Sequence, residues 1–207
     1  MKAAVRKRKP APADSYTPPL VLRTRPALDL TEDQFFALCQ LNRDLRIERN
    51  ASGEWLIMPP AGGETGQREA EIIIQLGLWA KRDQRGLVFS PSTGFRLPNT
   101  AVRAPDAAWV LRSRLDAIPA AERAKFLPLC PDFALELRSP TDRLADVQAK
   151  MEEYLANGAR LGWLLDPEHR HVYVYRPDGP VARLERPESV AGDPVLPGFV
   201  LDLREIW

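Results

Sequence analysis

The stretch PDFALELRSPTDRLADVQAKMEEYLANGARLGWLLD, residues 131–166, decides the fold. Its two ends, PDFALELRS and LGWLLD, are short apolar runs bounded by turn residues, and this pattern predicts two buried strands. The segment between them has the pattern of an amphipathic helix. Its apolar stripe consists of Leu144, Val147, Met151, Tyr154 and Leu155. A strand, a crossover helix and a second strand together predict a parallel pair within a mixed sheet.

Further helices and strands are expected on both sides of this unit. Thr31 is a good N-cap for a helix over residues 31–44, and a second helix is expected over residues 64–81. The crossover helix has a start signal at Ser139-Pro140 and a stop signal at Asn157-Gly158. Strands are expected at residues 45–49, 54–58, 87–90, 94–97, 104–111 and 171–176, with one short helix within 113–130 and a last hairpin beyond 176. The fold class is α/β or α+β, with a central mixed sheet flanked by helices.

Composition indicates one globular domain with a basic tail. The chain has 207 residues, of which 44% are hydrophobic and 28% charged. The prolines and basic residues near the start predict a flexible tail over residues 1–27, followed by a single domain over residues 28–207. Residues 1–14 carry five basic side chains and one acid, whereas the whole chain has a net charge of only +1. Any binding of nucleic acid must therefore depend on a local site.

Several classes of protein are excluded by what the sequence lacks. No apolar run approaches the roughly 20 residues that a membrane span needs, so no membrane association is expected. Cys39 and Cys130 form no CxxC motif and suit a reducing interior. The start of the chain lacks the apolar segment of a secretory signal. We therefore expect a cytoplasmic location. Two histidines, His169 and His171, are too few for a histidine triad or a zinc site.

Two carboxylates stand inside apolar strand patterns. Asp106 lies in APDAAWVL and Glu136 in FALELRS, and an unpaired buried carboxylate costs several kcal/mol. Either a bound cation or a buried base must offset that cost. Arg138 shares a strand face with Glu136 and would make a simple ion pair, whereas Lys150 on the crossover helix can bring its ammonium group toward the strand ends. Two acids and a lysine suit metal-assisted hydrolysis of a phosphodiester.

The same residues belong to an ordered set of motifs that resembles a known family. The stretches are IMPPAGGETGQREAEI, PSTGFRLPN, APDAAWV, CPDFALELRSPTD, KMEEYLANGARLGWLLDP and LPGF. Together, over roughly residues 29–207, they resemble the family of putative restriction endonucleases in the PD-(D/E)XK nuclease superfamily. The resemblance implies a restriction-endonuclease-like core and a nuclease that hydrolyses phosphodiester bonds in DNA. It also implies Mg²⁺ as the cofactor, for which Mn²⁺ can substitute.

The resemblance also assigns roles to individual residues. Asp106 matches the first acid, Glu136 the second, and the backbone carbonyl of Leu137 is a natural third metal ligand. Lys150 matches a lysine moved from the strand to the helix, while Arg138 stands where the superfamily has its lysine. We expect Lys150 to act on the water and Arg138 to bind the phosphate or form an ion pair, because arginine is too basic to act as a general base.

An acid from the first sheet-packing helix often joins such sites. Glu71 and Glu64 are the candidates for this role, and Glu69 is a weaker third. Each of them also fits an ordinary solvated position on a helix.

Two other functions fit parts of the pattern. A nuclease fold without catalysis would serve as a binding or interaction module, with Glu136 and Arg138 as a structural ion pair. A two-carboxylate glycosidase is a weaker alternative, because it needs a cleft with exposed aromatic residues and the tryptophans here fall in predicted core elements. For the nuclease, the expected partners are nucleic acid and a second copy of the chain, since two copies can cut two strands.

Overall fold

A computed structural model describes residues 19–207, which contain thirteen strands and five helices. The first half of the chain forms β1 (Leu20–Leu22), α1 (Glu32–Leu41), β2 (Arg46–Arg49), β3 (Trp55–Met58), α2 (Gly63–Asp83), β4 (Gly86–Phe89), β5 (Phe95–Arg96) and β6 (Val102–Arg103). The second half forms β7 (Ala107–Leu111), α3 (Arg112–Asp116), α4 (Ala120–Arg123), β8 (Phe133–Leu137), α5 (Leu144–Ala156), β9 (Leu161–Asp166), β10 (His171–Tyr175), β11 (Ala182–Glu185), β12 (Ser189–Ala191) and β13 (Val200–Asp202).

The larger sheet has six strands in the order β11-β10-β9-β8-β7-β4. β8 and β9 pair in parallel, with Glu136 opposite Leu164, and α5 is the crossover between them. The other pairs of this sheet are antiparallel. The parallel pair and the mixed sheet predicted from residues 131–166 are therefore confirmed.

The two faces of this sheet carry separate hydrophobic clusters. On one face, Ile72 and Leu76 of α2 pack with Leu135 and Trp163 of the sheet. On the other face, Met151 and Tyr154 of α5 pack in the cluster that contains Ala134 and Leu164. Side chains alternate along a strand, so Glu136 lies on the α5 face with Ala134. The sheet therefore turns this acid toward the helix that carries Lys150.

A second sheet of five strands has the order β1-β3-β2-β6-β5. The predicted hairpin of β2 and β3 is confirmed, and Gly53 adopts a φ of +87° in its turn, where a side chain would be strained. Phe35 of α1 packs with Trp55 and Val102 of this sheet. The helix begins as expected, because Thr31 accepts a hydrogen bond from the backbone of Gln34 and Gln34 caps Thr31 in return.

Three boundaries differ from the expectations. β1 lies inside the segment 1–27 predicted as a tail and pairs with β3, so regular structure begins before Thr31; residues 1–18 lie outside the described residues. Residues 113–130 contain parts of two short helices instead of one. The crossover helix begins at Leu144 and not at Ser139. The backbone amide of Ser139 donates to the Asp142 side chain, and the Ser139 hydroxyl accepts from the backbone amide of Thr141. These two hydrogen bonds form a turn before the helix begins. Among residues 19–207, no helix combines the length and the apolar composition that a membrane span requires.

Candidate active site

The two buried acids meet at one end of the larger sheet. Asp106 immediately precedes β7, and Glu136 lies in the neighbouring strand β8. The backbone amide of Leu137 donates to Asp106 Oδ2 at 2.8 Å, which ties the loop before β7 to the strand that carries Glu136. The exposed fractions are 6% for Asp106 and 5% for Glu136. Their proximity in the structure agrees with the grouping expected from the sequence.

Lys150 on α5 completes this group. Its Nζ lies 2.8 Å from Glu136 Oε1 and 3.0 Å from Glu48 Oε1. Tyr154, one helical turn further on, donates its hydroxyl to the same Glu136 oxygen at 2.9 Å. Both contacts described for Glu136 therefore end on Oε1.

Strand β2 contributes two residues that the sequence analysis did not identify. Arg46 Nη2 donates to Asp106 Oδ1 at 3.2 Å and to the carbonyl of Ala104 at 2.5 Å. Glu48, which is 2% exposed, binds Lys150 through Oε1 and lies 3.2 Å from Arg103 through Oε2. The only signal in the sequence is the alternation in RIER, which puts one base and one acid on the same face of a hairpin strand.

An outer ring of contacts supports Glu48. Arg103 on β6 also binds Glu153 of α5 at 2.5 Å, and Glu153 in turn accepts a hydrogen bond from the Asn99 side chain at 2.9 Å. The amide of Ala104 donates to Glu48 Oε1 at 3.2 Å. These contacts join the smaller sheet to α5 at the same place where the acids meet.

Arg138 lies outside this group, although the sequence analysis placed it in the catalytic set. It follows the end of β8, and its guanidinium lies 3.0 Å from both Asp166 and Glu168 and donates to the carbonyl of Asp142. Of the two expected roles, this geometry favours the ion pair.

The described residues contain one other arrangement of metal-ligand type near Arg138, formed by Asp166, Glu168 and His169, whose ligand atoms lie within 4.8 Å of one another. The guanidinium of Arg138 already supplies this group with a positive charge. His169 Nδ1 also lies 2.8 Å from Asp166, so the buried carboxylate has two partners. Glu168 and His169 are exposed, so this group lies at the surface, apart from the two buried acids of the candidate site.

The acids of α2 differ from one another in the direction they face. Glu64 is exposed and pairs with Arg68, and Glu71 accepts a hydrogen bond from Gln75. Among the described residues, none of the three acids, Glu69 included, has a hydrogen bond or ion pair with Asp106 or Glu136. Glu69 shares the buried face of the helix with Thr65 and Ile72, and both burial and the charge of Asp106 raise its pKa. The weakest of the three candidates is thus the one near the site, and the helical spacing from Ile72 and Leu76 could have identified it.

The charges of the group shift its pKa values in opposite directions. Burial raises the pKa of Glu136 to about 7, and the neighbouring carboxylates of Asp106 and Glu48 add to this shift against the charge of Lys150. Burial also disfavours the charged form of Glu48, but Lys150 and Arg103 outweigh it and lower the pKa of that carboxyl group. The pKa of Lys150 is raised, because Glu136 and Glu48 outweigh the effect of burial. Lys150 is therefore a cation at neutral pH.

These donors fit a hard divalent ion. Asp106 and Glu136 offer carboxylate oxygens, which Mg²⁺ and Mn²⁺ prefer over nitrogen or sulfur ligands. Burial and, to a smaller extent, the neighbouring carboxylates raise the pKa of Glu136, and a cation beside these acids would favour its charged form. The described residues are thus suited to hold a metal ion at this end of the sheet.

Comparison with known proteins gives one family and one fold. A family model described as Uma2, putative restriction endonuclease, matches residues 32–204. The chain is also similar to the crystal structure of a putative nuclease belonging to DUF820 from Anabaena variabilis, with a TM-score of 0.64 and 21% sequence identity. That match covers 81% of this chain and 91% of the other, and at this identity it shows a common fold. No curated protein matches the chain.

Proposed function

The chain belongs to the Uma2 family of putative restriction endonucleases, and we propose that it is a Mg²⁺-dependent endonuclease that hydrolyses phosphodiester bonds in DNA. The observation that carries this proposal is the meeting of Asp106, Glu136 and Lys150 at one end of the sheet. The restriction-endonuclease-like fold agrees with it. Mn²⁺ is expected to replace Mg²⁺, since both are oxygen-binding divalent ions.

The metal ligands in this proposal are Asp106, Glu136 and the backbone carbonyl of Leu137. When bound, the ion supplies Lewis-acid stabilisation of the charge that grows on the phosphate and acidifies the attacking water. Glu69, whose pKa is raised by burial and by the charge of Asp106, replaces Glu71 and Glu64 as the helix acid proposed to join the ligands. The backbone amide of Leu137 fixes Asp106 by its hydrogen bond to Oδ2 and leaves Oδ1 on the side of Arg46.

Lys150 acts in this proposal by its charge. Its raised pKa keeps it protonated, so it donates hydrogen bonds and cannot take a proton from water at neutral pH. A fixed ammonium group beside Glu136 orients the attacking water and stabilises the anionic transition state. Arg138 stays in its ion pair with Asp166 and contributes to stability rather than to chemistry.

We propose further that one domain, residues 28–207 together with the β1 strand that pairs with its smaller sheet, carries this activity, and that it acts on DNA in the cytoplasm as a homodimer. A site that cuts one strand needs a second copy to cut both. The two cysteines, neither of which is in a disulfide, agree with a reducing compartment. The acidic site needs the metal charge to bind a phosphate, so binding of DNA should depend on the ion.

The test is cleavage of supercoiled plasmid by purified protein with Mg²⁺ or Mn²⁺. We expect nicking or linearisation that EDTA abolishes and that D106N reduces by more than about a hundredfold, the order of loss typical of a missing catalytic electrostatic contact. D29N changes an exposed acid paired with Arg25 and should cut like the wild type. Cleavage that survives EDTA or D106N would contradict the mechanism, and a single-stranded RNA substrate in parallel tests the choice of DNA.

One observation favours a second candidate, a nuclease-fold module that binds without cutting. Both central acids already have internal cations, since Arg46 contacts Asp106 and Lys150 contacts Glu136. Under this alternative the ion pairs are permanent. Calorimetric titration with Mn²⁺ separates the two, because only the nuclease predicts heat that D106N removes.

A further inference from the structure

Arg46 is the cation that lies on Asp106. Its Nη2 donates to Asp106 Oδ1 at 3.2 Å and to the carbonyl of Ala104 at 2.5 Å, and Glu48 Oε1 lies 3.9 Å away. The other bases of the group are engaged elsewhere in the described structure. Lys150 binds Glu48 and Glu136, and Arg103 binds Glu48 and Glu153. The charge of Asp106 is therefore balanced by Arg46.

The hydrogen bonding of Arg46 is incomplete. Its Nε is buried and has no hydrogen-bond partner within residues 19–207, and a buried donor without an acceptor costs free energy. The described hydrogen bonds of the guanidinium are thus made by Nη2, whereas the donor at Nε is unused. A small movement that gives Nε an acceptor would lower the free energy of this side chain.

Arg46 is also the most accessible of the three bases. Its side chain is 31% exposed, compared with 15% for Lys150 and 11% for Arg103. A ligand that approaches the acids from solvent can therefore reach the guanidinium of Arg46 more readily than the other two charges. A guanidinium has a planar set of donors that matches two phosphate oxygens.

From these observations we infer that Arg46 is an internal counter-cation of Asp106, which a divalent ion displaces and which then contacts the phosphate of the substrate. The inference rests on the proposed function, because it takes Asp106 as a metal ligand. A divalent ion at Oδ1 and a guanidinium at the same oxygen would repel each other, so binding of one expels the other. The displaced side chain keeps its charge, and its Nε together with the Nη2 hydrogen that leaves Asp106 can donate to the phosphate.

Calorimetric titration with Mn²⁺ in the absence of DNA tests the displacement. R46Q should bind Mn²⁺ about tenfold more tightly than the wild type, because the ion no longer competes with a charged hydrogen bond at Asp106. R46K keeps the charge without the planar fork, so its gain should be smaller and in the same direction. R23Q removes an equally charged residue from an exposed pair with Glu54 in the same hairpin region, and its affinity should not change.

Plasmid cleavage at saturating Mn²⁺ tests the contact with phosphate. R46Q should cut on the order of a hundredfold more slowly than the wild type although it binds the ion more tightly. A merely structural role would lower both quantities. Opposite changes in metal affinity and in cleavage are therefore specific to the inference.

The outcomes separate failure of this inference from failure of the proposed function. If D106N abolishes Mn²⁺ binding but R46Q binds no more tightly than the wild type, the role of Arg46 is wrong and the metal site stands. If neither R46Q nor the wild type binds Mn²⁺, both proposals fail. Unchanged cleavage by R46Q at saturating Mn²⁺ overturns the phosphate contact. Should circular dichroism show that R46Q is unfolded, R46K decides the question by the sign of its affinity change.

Discussion

Glu48 positions the ammonium group of Lys150 beside Glu136. The carboxylate of Glu48 contacts Lys150 at 3.0 Å and Arg103 at 3.2 Å, so it links the ammonium group to a second buried base. Removing one partner of a buried ion pair leaves the other charge uncompensated, at a cost of about 3–5 kcal/mol. The role of Glu48 is to position Lys150, and a change at this residue should affect chemistry and stability together.

For E48Q we expect plasmid cleavage to fall at least about tenfold, in the range typical of residues that support a metal site. The midpoint of urea unfolding should fall as well. E54Q is the matched control for cleavage, because Glu54 is a half-buried acid of the same hairpin region that contacts Arg23 and Asn50 and not Lys150, and it should leave the cleavage rate unchanged. If E48Q cuts at the wild-type rate, Lys150 does not depend on this contact.

If Glu136 is a metal ligand as proposed, its raised pKa makes metal binding depend on pH near neutrality. A proton and a metal ion compete for the same carboxylate, and the pKa of this group is about 7. Below that pH the ion must displace a proton, whereas above it the carboxylate is already charged. Affinity for Mn²⁺ should therefore rise between about pH 6 and pH 8, by up to ~10-fold per unit below the pKa, and level off above it. Calorimetry at several pH values measures this, and a flat profile would contradict the assignment.

Tyr154 provides a check on the same titration. Its hydroxyl donates to Glu136 Oε1, and a hydrogen bond to the charged form of an acid lowers its pKa. Y154F keeps the buried ring and removes the donor, so the rise in Mn²⁺ affinity should move to higher pH. A shift to lower pH would mean that the hydroxyl does not act on the charged form.

At the scale of single elements, the proposal that Glu69 joins the site depends on the face of helix α2 that it occupies. Glu69 shares the face of Thr65 and Ile72, whereas Glu71 bonds Gln75 and Glu64 pairs with Arg68. E69Q should weaken Mn²⁺ binding several-fold, because it removes a negative charge close to Asp106. E71Q and E64Q should bind like the wild type. Equal affinities of E69Q and E71Q would exclude Glu69 from the site.

The packing of α5 determines where Lys150 lies. Met151 is fully buried next to Lys150, and its Cε lies 2.5 Å from where a Cβ on Gly162 of β9 would be. The helix thus approaches the sheet closely because a glycine stands opposite. M151A should lower the free energy of unfolding by about 2–5 kcal/mol, the range for a truncated core methionine, as measured by urea denaturation. L155A, at a half-buried position of the same helix, should cost less.

Some helices, strands and contacts of the site could be predicted from the sequence, and others could not. The β8–α5–β9 unit could be predicted because its strands and helix have different hydrophobic periods within one short stretch. The meeting of Asp106 with Glu136 could be expected from their burial in adjacent apolar segments. Arg46 could not be assigned, because its contact with Asp106 spans 60 residues and depends on how one sheet lies against the other. Glu48 is a similar case, with a sequence separation of 102 from Lys150.

At the scale of the whole molecule, the candidate site lies where the two sheets meet. β2 of the smaller sheet supplies Arg46 and Glu48, and the larger sheet supplies Asp106 and Glu136. The contact of Glu48 with Lys150 joins the two parts. Loss of the smaller sheet should therefore remove the contact that positions Lys150 and lower cleavage even if the larger sheet and its proposed metal ligands stay folded. The pairing of the first strand with this sheet is for that reason worth testing.

Two truncations separate the effect of the basic start of the chain from the effect of β1. Removal of residues 1–18 leaves β1 in place and takes away the basic residues of positions 1–14. Removal of residues 1–27 also deletes β1, which pairs with β3, and the Arg23–Glu54 pair. If residues 1–14 bind phosphates, the shorter truncation should weaken DNA binding. The dependence of affinity on salt should then become less steep, by roughly one unit of logarithmic slope for each phosphate that the tail no longer neutralises.

Thermal unfolding and Mn²⁺ titration distinguish structural from electrostatic effects of these truncations. The shorter truncation should unfold at the wild-type temperature and bind Mn²⁺ with wild-type affinity, because every described residue is kept. The longer one should unfold at a lower temperature, since the edge of the smaller sheet is removed and β3 is left without one of its partners. Equal thermal stability of the two would mean that the pairing of Leu20–Leu22 with β3 contributes little, and that the domain begins near residue 28 as its sequence predicted.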